Sequence, residues 1–189
     1  AVDFDGDGRR DIWDSIPDAL ASTANHLAKN GWQKGKAWGY EVRLPKGFDC
    51  TLEGISNVRS IREWVSLGIT RAFDRKFLPE RMDEKAHVVA PAGTLGPAFL
   101  VLENFEVFRS YNKADLYALY VGHVADRILF AGDFEGGWTR VESFTRDEMR
   151  RIQVKLTSEG FYDGKIDGLM GSLTRSAIGQ WQKKLGHEE

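Results

Sequence analysis

The apolar positions fall into blocks of different period, and the blocks divide the chain. Between residues 16 and 31, Leu20, Ala24, Leu27 and Ala28 form one stripe, Pro17 suits a first helical turn and Gly31 a stop, so an amphipathic helix is predicted. From 38 to 107 the text changes to short apolar runs at 40–45, 87–91 and 99–102, punctuated by Gly and Pro, which read as strands, with 60–67 as a short helix. Residues 113–130 are apolar on most faces (Leu116, Leu119, Tyr120, Val121, Val124, Ile128), which predicts a helix buried on several sides. A glycine-bearing linker is expected next. Thr145 and Glu148 then have capping-box spacing, ahead of a helix through Met149, Ile152 and Leu156 that ends at Gly160, and a second helix is predicted over 173–185. The fold class expected is mainly α with a small antiparallel β-sheet, followed by a small helical domain.

Composition narrows the functions. With 189 residues and 42% hydrophobic content, the chain can bury one ordinary core and a small second one. The net charge of -2 provides no global basic field, so nucleic acid is not an expected partner. The single cysteine, Cys50, cannot form an internal disulfide and reads as a small apolar residue. No run approaches the length of a membrane span, and no basic-then-apolar leader opens the chain. The first residue is Ala1 rather than Met, and chemistry begins at Asp3, which leads to the expectation of a fragment whose preceding element is missing.

That chemistry is a loop at 3–14. Asp3, Asp5, Asp7, Asp11 and Asp14 occupy positions 1, 3, 5, 9 and 12 of an EF-hand-like spacing, with Gly8 at the sharp turn and the Arg9 carbonyl at position 7. A hard cation needs about six or more oxygens, and this pattern can wrap one calcium ion in a structural role. Two features point away from a calcium sensor: position 12 is Asp14 rather than the longer Glu, and Arg10 stands where paired loops place an apolar contact. Asp18, one turn beyond Asp14, competes with it as the bidentate ligand and also reads as a capping partner of Ser15. The plain alternative for the loop is a solvated acidic turn. A calcium-dependent docking module would need a second copy of the loop, and the sequence has none.

Longer strings carry a family resemblance. Residues 5–27, then Gly31-Trp32 and Trp38-Gly39-Tyr40-Glu41-Val42, followed by Ser56-Asn57-Val58-Arg59-Ser60-Ile61, Pro91-Ala92-Gly93, Gly96-Pro97-Ala98-Phe99-Leu100, Asn104-Phe105 and Tyr111-Asn112, resemble the membrane-bound lytic murein transglycosylase B family in order and spacing. The resemblance implies a lysozyme-like remnant over 1–131. It also implies cleavage of the β-1,4 bond between N-acetylmuramic acid and N-acetylglucosamine without water, leaving 1,6-anhydromuramoyl ends. The family's single acid/base Glu lies upstream of the calcium loop and no residue here matches its motif, so the fragment alone is expected to be inactive. Glu41 and Glu103 do not occupy the acid's place.

The resemblance carries over the far wall of the sugar cleft. Tyr111 and Asn112 match a groove-lining pair, Tyr117 matches an aromatic further along the same helix, and His26 stands after Asn25 where the family commonly has a groove-facing Tyr. Tyrosine suits sugars, packing its face on pyranose C–H groups while its hydroxyl bonds a sugar oxygen. Asn112 also reads as a helix cap with Asp115 three residues on, and Tyr117 as core. His87, His123 and His187 show no metal-ligand spacing.

From 144 to 189, Ile152-Gln153, Leu156, Gly160-Phe161-Tyr162, Gly164, Ile166-Asp167-Gly168, Gly171, Thr174, Ala177-Ile178 and Trp181-Gln182 resemble the peptidoglycan-binding type 1 domain, a small three-helix unit. Its usual last helix would follow Leu185-Gly186, so a truncated domain is expected, joined through a linker at 132–143. The partners implied are peptidoglycan glycan strands, the location the periplasm, and the state a monomer; attachment to the outer membrane by a lipid anchor is left open. The alternative function is a non-catalytic, calcium-stabilised peptidoglycan-binding protein.

Overall fold

The computed structural model describes residues 1–130, 132–139 and 144–187, so 140–143 of the expected linker and the last two positions of the terminal domain lie outside the described residues. The expected class is found: helices frame one five-stranded antiparallel sheet. The strands are β1 (Gly39–Arg43), β2 (Arg59–Ser60), β3 (Thr70–Arg71), β4 (Lys85–Val89) and β5 (Ala98–Val101), in the order β2-β4-β5-β1-β3. The helices are α1 (Ile16–Lys29), α2 (Ile61–Ser66), α3 (Glu103–Tyr111), α4 (Asp115–Phe130), α5 (Arg146–Ser158) and α6 (Ser172–Lys184).

Strand β5 explains why its sequence is a continuous apolar run rather than an alternating one. It pairs with β4 and β1 at once and is covered on both faces. Ala98 and Leu100 point into a core with Val42, Ile61, Trp64, Ile69 and Val88, while Phe99 and Val101 point into a second core with Trp38, Val89, Phe105, Phe108 and Leu119. Cys50 packs at the margin of the first. The second core anchors α3 and α4, and these two helices position Tyr111, Asn112 and Tyr117.

Two expectations are corrected. Residues 103–107, read as the end of a strand-rich zone, instead open the helix Glu103–Tyr111, because Phe105 and Phe108 share one face and the acidic Glu103 and Glu106 favour the first turn. Helix α4 exists, but it is not buried on several sides. Among the described residues of the helix, Ala118, Leu119 and Gly122 are buried and Val121 is half-buried, while Leu116, Tyr120, Ile128 and Leu129 stay exposed. The contact is narrow because Trp38 lies flat against it: a Cβ on Gly122 would sit 2.6 Å from the indole. The indole nitrogen donates to Asp126 at 2.9 Å from the same helix.

The terminal unit packs α5 against α6 around Leu156, Tyr162 and Ala177, with Ile152, Ile178 and Trp181 partly covered. Buried Gln153 ties its turn, accepting from the Gly168 backbone N–H at 2.8 Å through Oε1 while its amide nitrogen lies within 3.3 Å of the Tyr162 hydroxyl, Asp167, the Leu169 carbonyl and Thr174. Gly168 has φ +76°, and a Cβ there would meet the Arg146 carbonyl at 2.4 Å, so only glycine fits. The unit is seated on the sheet domain. Arg175 forms a bidentate pair with Glu53, which also accepts from the Ala90 N–H at 3.0 Å, and Lys183 pairs with Asp49 at 2.8 Å.

Candidate functional site

The loop at 3–14 is built by its own backbone. Asp3 accepts from the N–H groups of Gly6 and Gly8 at 2.8 and 3.0 Å, Asp7 from Arg9 at 2.8 Å, and Asp5 from the Ser15 hydroxyl at 2.6 Å. These bonds turn three carboxylates inward: one oxygen from each of Asp3, Asp5 and Asp7 lies within 4.8 Å of the others. None of the three is in an ion pair among the described residues. Three uncompensated, converging carboxylates fit a divalent oxygen-loving ion.

Asp18 and Asp14 are arranged differently. Asp18 is fully enclosed, and its carboxylate accepts from Phe4 at 2.6 Å, Asp11 at 2.9 Å and Asp5 at 3.4 Å, so the start of α1 clamps the loop. The Phe4 N–H, with help from Asp11 and Asp5, holds this carboxyl below the usual range against the opposing effect of desolvation. The Ser15 hydroxyl accepts from the Asp18 N–H at 3.3 Å, which is half of the capping arrangement read in the sequence. Asp14 is exposed and its carboxylate makes no hydrogen bond among the described residues. Asp11 is occupied by the Trp13 and Asp14 N–H groups at 2.9 and 3.0 Å.

His26, Tyr111 and Tyr117 come together. The rings of Tyr111, at the end of α3, and Tyr117, on α4, stack at 5.9 Å with an interplanar angle of 23°. His26 of α1 meets Tyr111 edge-on at 5.8 Å. Tyr111 is 70% exposed and Tyr117 36%, so neither is core. Asn112 ends α3, and its Oδ1 accepts from the Ala114 N–H at 3.0 Å, capping the bend into α4. Its amide nitrogen has no partner among the described residues. Three helices thus deliver one aromatic row with an amide donor at its corner, which suits a neutral, hydroxyl-rich ligand.

A polar clamp lies beneath this bend. Arg109 bonds Glu106 at 2.9 Å on its own helix, Asp115 at 3.0 Å on the next and the Lys113 carbonyl at 3.5 Å between them. His87, buried in β4, stands 3.7 Å from Glu106. Burial, and then the positive charge of Arg109, push the imidazole down to about 4, so it is neutral near pH 7. The Glu106–Arg109 spacing is visible in the sequence once α3 is recognised as a helix. Glu41 and Glu103 both have structural employment: Glu41 accepts from the Glu135 and Gly136 N–H groups at 3.0 and 2.8 Å, and Glu103 accepts from Gln33.

The whole chain has known relatives. Residues 1–126 match the family model of the transglycosylase SLT domain, and 145–188 match that of the putative peptidoglycan binding domain. The chain is 30% identical over 137 residues to membrane-bound lytic murein transglycosylase B of Escherichia coli (strain K12), covering 69% of this chain and 34% of that protein. Among solved structures, SltB3 from Pseudomonas aeruginosa in complex with NAG-anhNAM-pentapeptide is 42% identical with a TM-score of 0.87, covering 100% of this chain and 50% of that one. The Escherichia coli lytic transglycosylase Slt35 in complex with calcium is 27% identical with a TM-score of 0.56, covering 69% of this chain and 40% of that one. The chain thus spans half or less of the length of these relatives. With two thirds of its residues under one family model and 145–188 under a second, the chain belongs to the lytic transglycosylases of the SLT-domain family and carries a peptidoglycan-binding domain.

Proposed function

We propose that these residues form the calcium-stabilised cleft wall and the wall-binding domain of a periplasmic lytic murein transglycosylase whose acid/base glutamate lies outside the 189 residues. The observation that carries this reading is the His26–Tyr111–Tyr117 ring cluster with Asn112 at its corner, assembled from three helices in a family of glycan-cleaving enzymes. It is supported by SltB3, which has been solved with NAG-anhNAM-pentapeptide and with NAG-NAM-pentapeptide.

In the reaction so assigned, one carboxylic acid protonates the bridging oxygen as the C1–O4 bond breaks. The same carboxylate then takes the proton of the sugar's own 6-hydroxyl as that oxygen bonds to C1, so no water is consumed. The present residues hold the muramoyl ring still during those two transfers: Tyr111 and Tyr117 pack on its C–H faces, and Asn112 offers an N–H donor. Asp3, Asp5 and Asp7, whose carboxylate oxygens converge, would hold calcium, with the Arg9 carbonyl and Asp14 as the further oxygens that the loop spacing offers and Asp18 as the clamp that shapes the loop. Calcium supplies charge neutralisation there and no chemical step. The terminal domain keeps the enzyme on the sacculus and raises local substrate concentration. No helix among the described residues is long and apolar enough to cross a membrane.

The test is to express the longest reading frame that contains these residues, digest purified sacculi and identify the products by mass spectrometry. Anhydromuramoyl ends are expected, and Asn112→Ala is expected to slow turnover about tenfold with the fold intact. Reducing ends alone, or binding without cleavage, would replace this reading with a hydrolase or a non-catalytic wall-binding protein.

A further inference from the structure

Helix α4 has more exposed aromatic surface than the Tyr111–Tyr117 row uses. Next to that row, between α4 and the strap at 132–139, lies an open cleft of about 560 Å³ whose walls include Leu116, Tyr120 and His123 on the helix side and Phe134 and Trp138 on the strap side. The strap is firmly held. Phe134 stacks on His123 at 3.9 Å and meets Phe99 edge-on at 5.0 Å, Glu41 accepts from two strap N–H groups, Arg43 pairs with Glu135, and the Thr139 N–H donates to the Leu95 carbonyl at 3.0 Å. Trp138 rests its benzo edge against Gly96, where a Cβ would lie 3.3 Å from the ring. Tyr120 is nevertheless 67% exposed and Trp138 52%.

Position on the helix links this cleft to the sugar groove. At about 100° per residue, Tyr120 lies angularly between Leu116 and Tyr117, about 40° from the first and 60° from the second, and one turn further along the axis. It therefore borders both surfaces. We propose that the cleft is a further sugar-stacking subsite, taking pyranose rings of the same glycan strand beyond Tyr117, with Tyr120 and Trp138 as its two aromatic walls. The occupant follows from the lining. Aromatic faces with polar tips suit alternating C–H faces and hydroxyls, and the one carboxylate at the rim, Asp133, is already paired with Arg127, so no net charge selects an ion.

This inference rests on the groove reading, and glycan length separates the two. The complete enzyme would be titrated by calorimetry with peptide-free wall glycans, a disaccharide and an octasaccharide, in wild type, Tyr111→Ala, Tyr120→Ala and Trp138→Ala forms. Tyr120→Ala and Trp138→Ala are each expected to weaken the octasaccharide about threefold to tenfold and leave the disaccharide unchanged, with Tyr120→Phe close to wild type. Tyr111→Ala is expected to weaken both ligands. If Tyr111→Ala weakens both while Tyr120→Ala weakens neither, the cleft is not a subsite and the groove stands. Equal losses at both lengths for Tyr120→Ala, or a lowered melting temperature with no change in binding, also overturn the subsite. If Tyr111→Ala changes nothing, the groove reading itself fails.

Discussion

At the scale of single residues, the acidic loop at 3–14 separates two roles that carboxylates in one cluster can play. Asp18 bonds backbone N–H groups and shapes the loop, while Asp3, Asp5 and Asp7 converge on a common point with their charges unpaired. Replacing Asp3, Asp5 and Asp7 by Ala should abolish most of a calcium-dependent rise in melting temperature. Asp18→Asn, by contrast, should lower the melting temperature by about 5 °C with and without calcium. Scanning calorimetry against calcium concentration distinguishes them, and an unchanged calcium response in the triple variant removes the ion from the loop. His87 gives a second prediction. Its neutral form is preferred in the folded chain, where its pKa lies at about 4 against an ordinary 6.5, so the unfolded chain binds a proton first as pH falls. Its contribution is complete above pH 6.5 and is lost between 6.5 and 4, up to about 3 kcal/mol. Denaturant titrations across that range should show a steeper acid loss for wild type than for His87→Gln; parallel curves would mean that the imidazole is not held neutral.

At the scale of elements, the bend between α3 and α4 is the part that the cleft depends on. Arg109 ties one helix to the start of the next across residues 111–114, so it fixes where Tyr111 and Asn112 stand without touching the ligand itself. Arg109→Ala should weaken glycan binding about tenfold, and its effect should be non-additive with that of Asn112→Ala in a double-mutant cycle. Arg109→Lys should recover only part, because one ammonium cannot span both carboxylates with a planar fork. Additive losses would show a general loss of stability instead. The sequence disclosed the outer parts of this element set and not its joint. The expected stripe of α1 is not its buried face: Leu20, Ala24 and Ala28 are exposed, Leu27 is half-buried and Asp18 is enclosed. Helix α1, with Pro17 in its first turn, and α5, with its Thr145–Glu148 box, are nevertheless specified by local chemistry and were legible. Helix α3 was not, because it follows directly on β5 and its apolar residues continue the strand's run without a glycine or proline between them. The misjudged burial of α4 has a related cause: periodicity reports which faces are apolar, and here an apolar face lines a cleft instead of a core.

At the scale of the whole molecule, the terminal domain is attached by more than its connecting segment. The pair joining it to the sheet domain, Glu53 and Arg175, is 122 residues apart in sequence and left no local signal to read. Its two side chains are nearly enclosed, with 4% and 15% exposure, and Glu53 also accepts the Ala90 N–H at 3.0 Å. Removing one partner strands the other: Arg175→Ala should destabilise the docked arrangement by about 3–5 kcal/mol, because an uncompensated carboxylate is left in an apolar contact. Pairing Glu53→Gln with Arg175→Met should recover much of that, since two neutral groups of similar volume need no countercharge, although the Ala90 N–H must then be met by an amide oxygen. Small-angle scattering distinguishes docking from tethering, because release of the domain enlarges the radius of gyration while each fold persists. Arg175→Ala is expected to expand the molecule and the double variant to restore compactness. If Arg175→Ala stays as compact as wild type, the seat is carried by the apolar contacts and the Lys183–Asp49 pair, and the buried ion pair selects orientation without holding the domain in place.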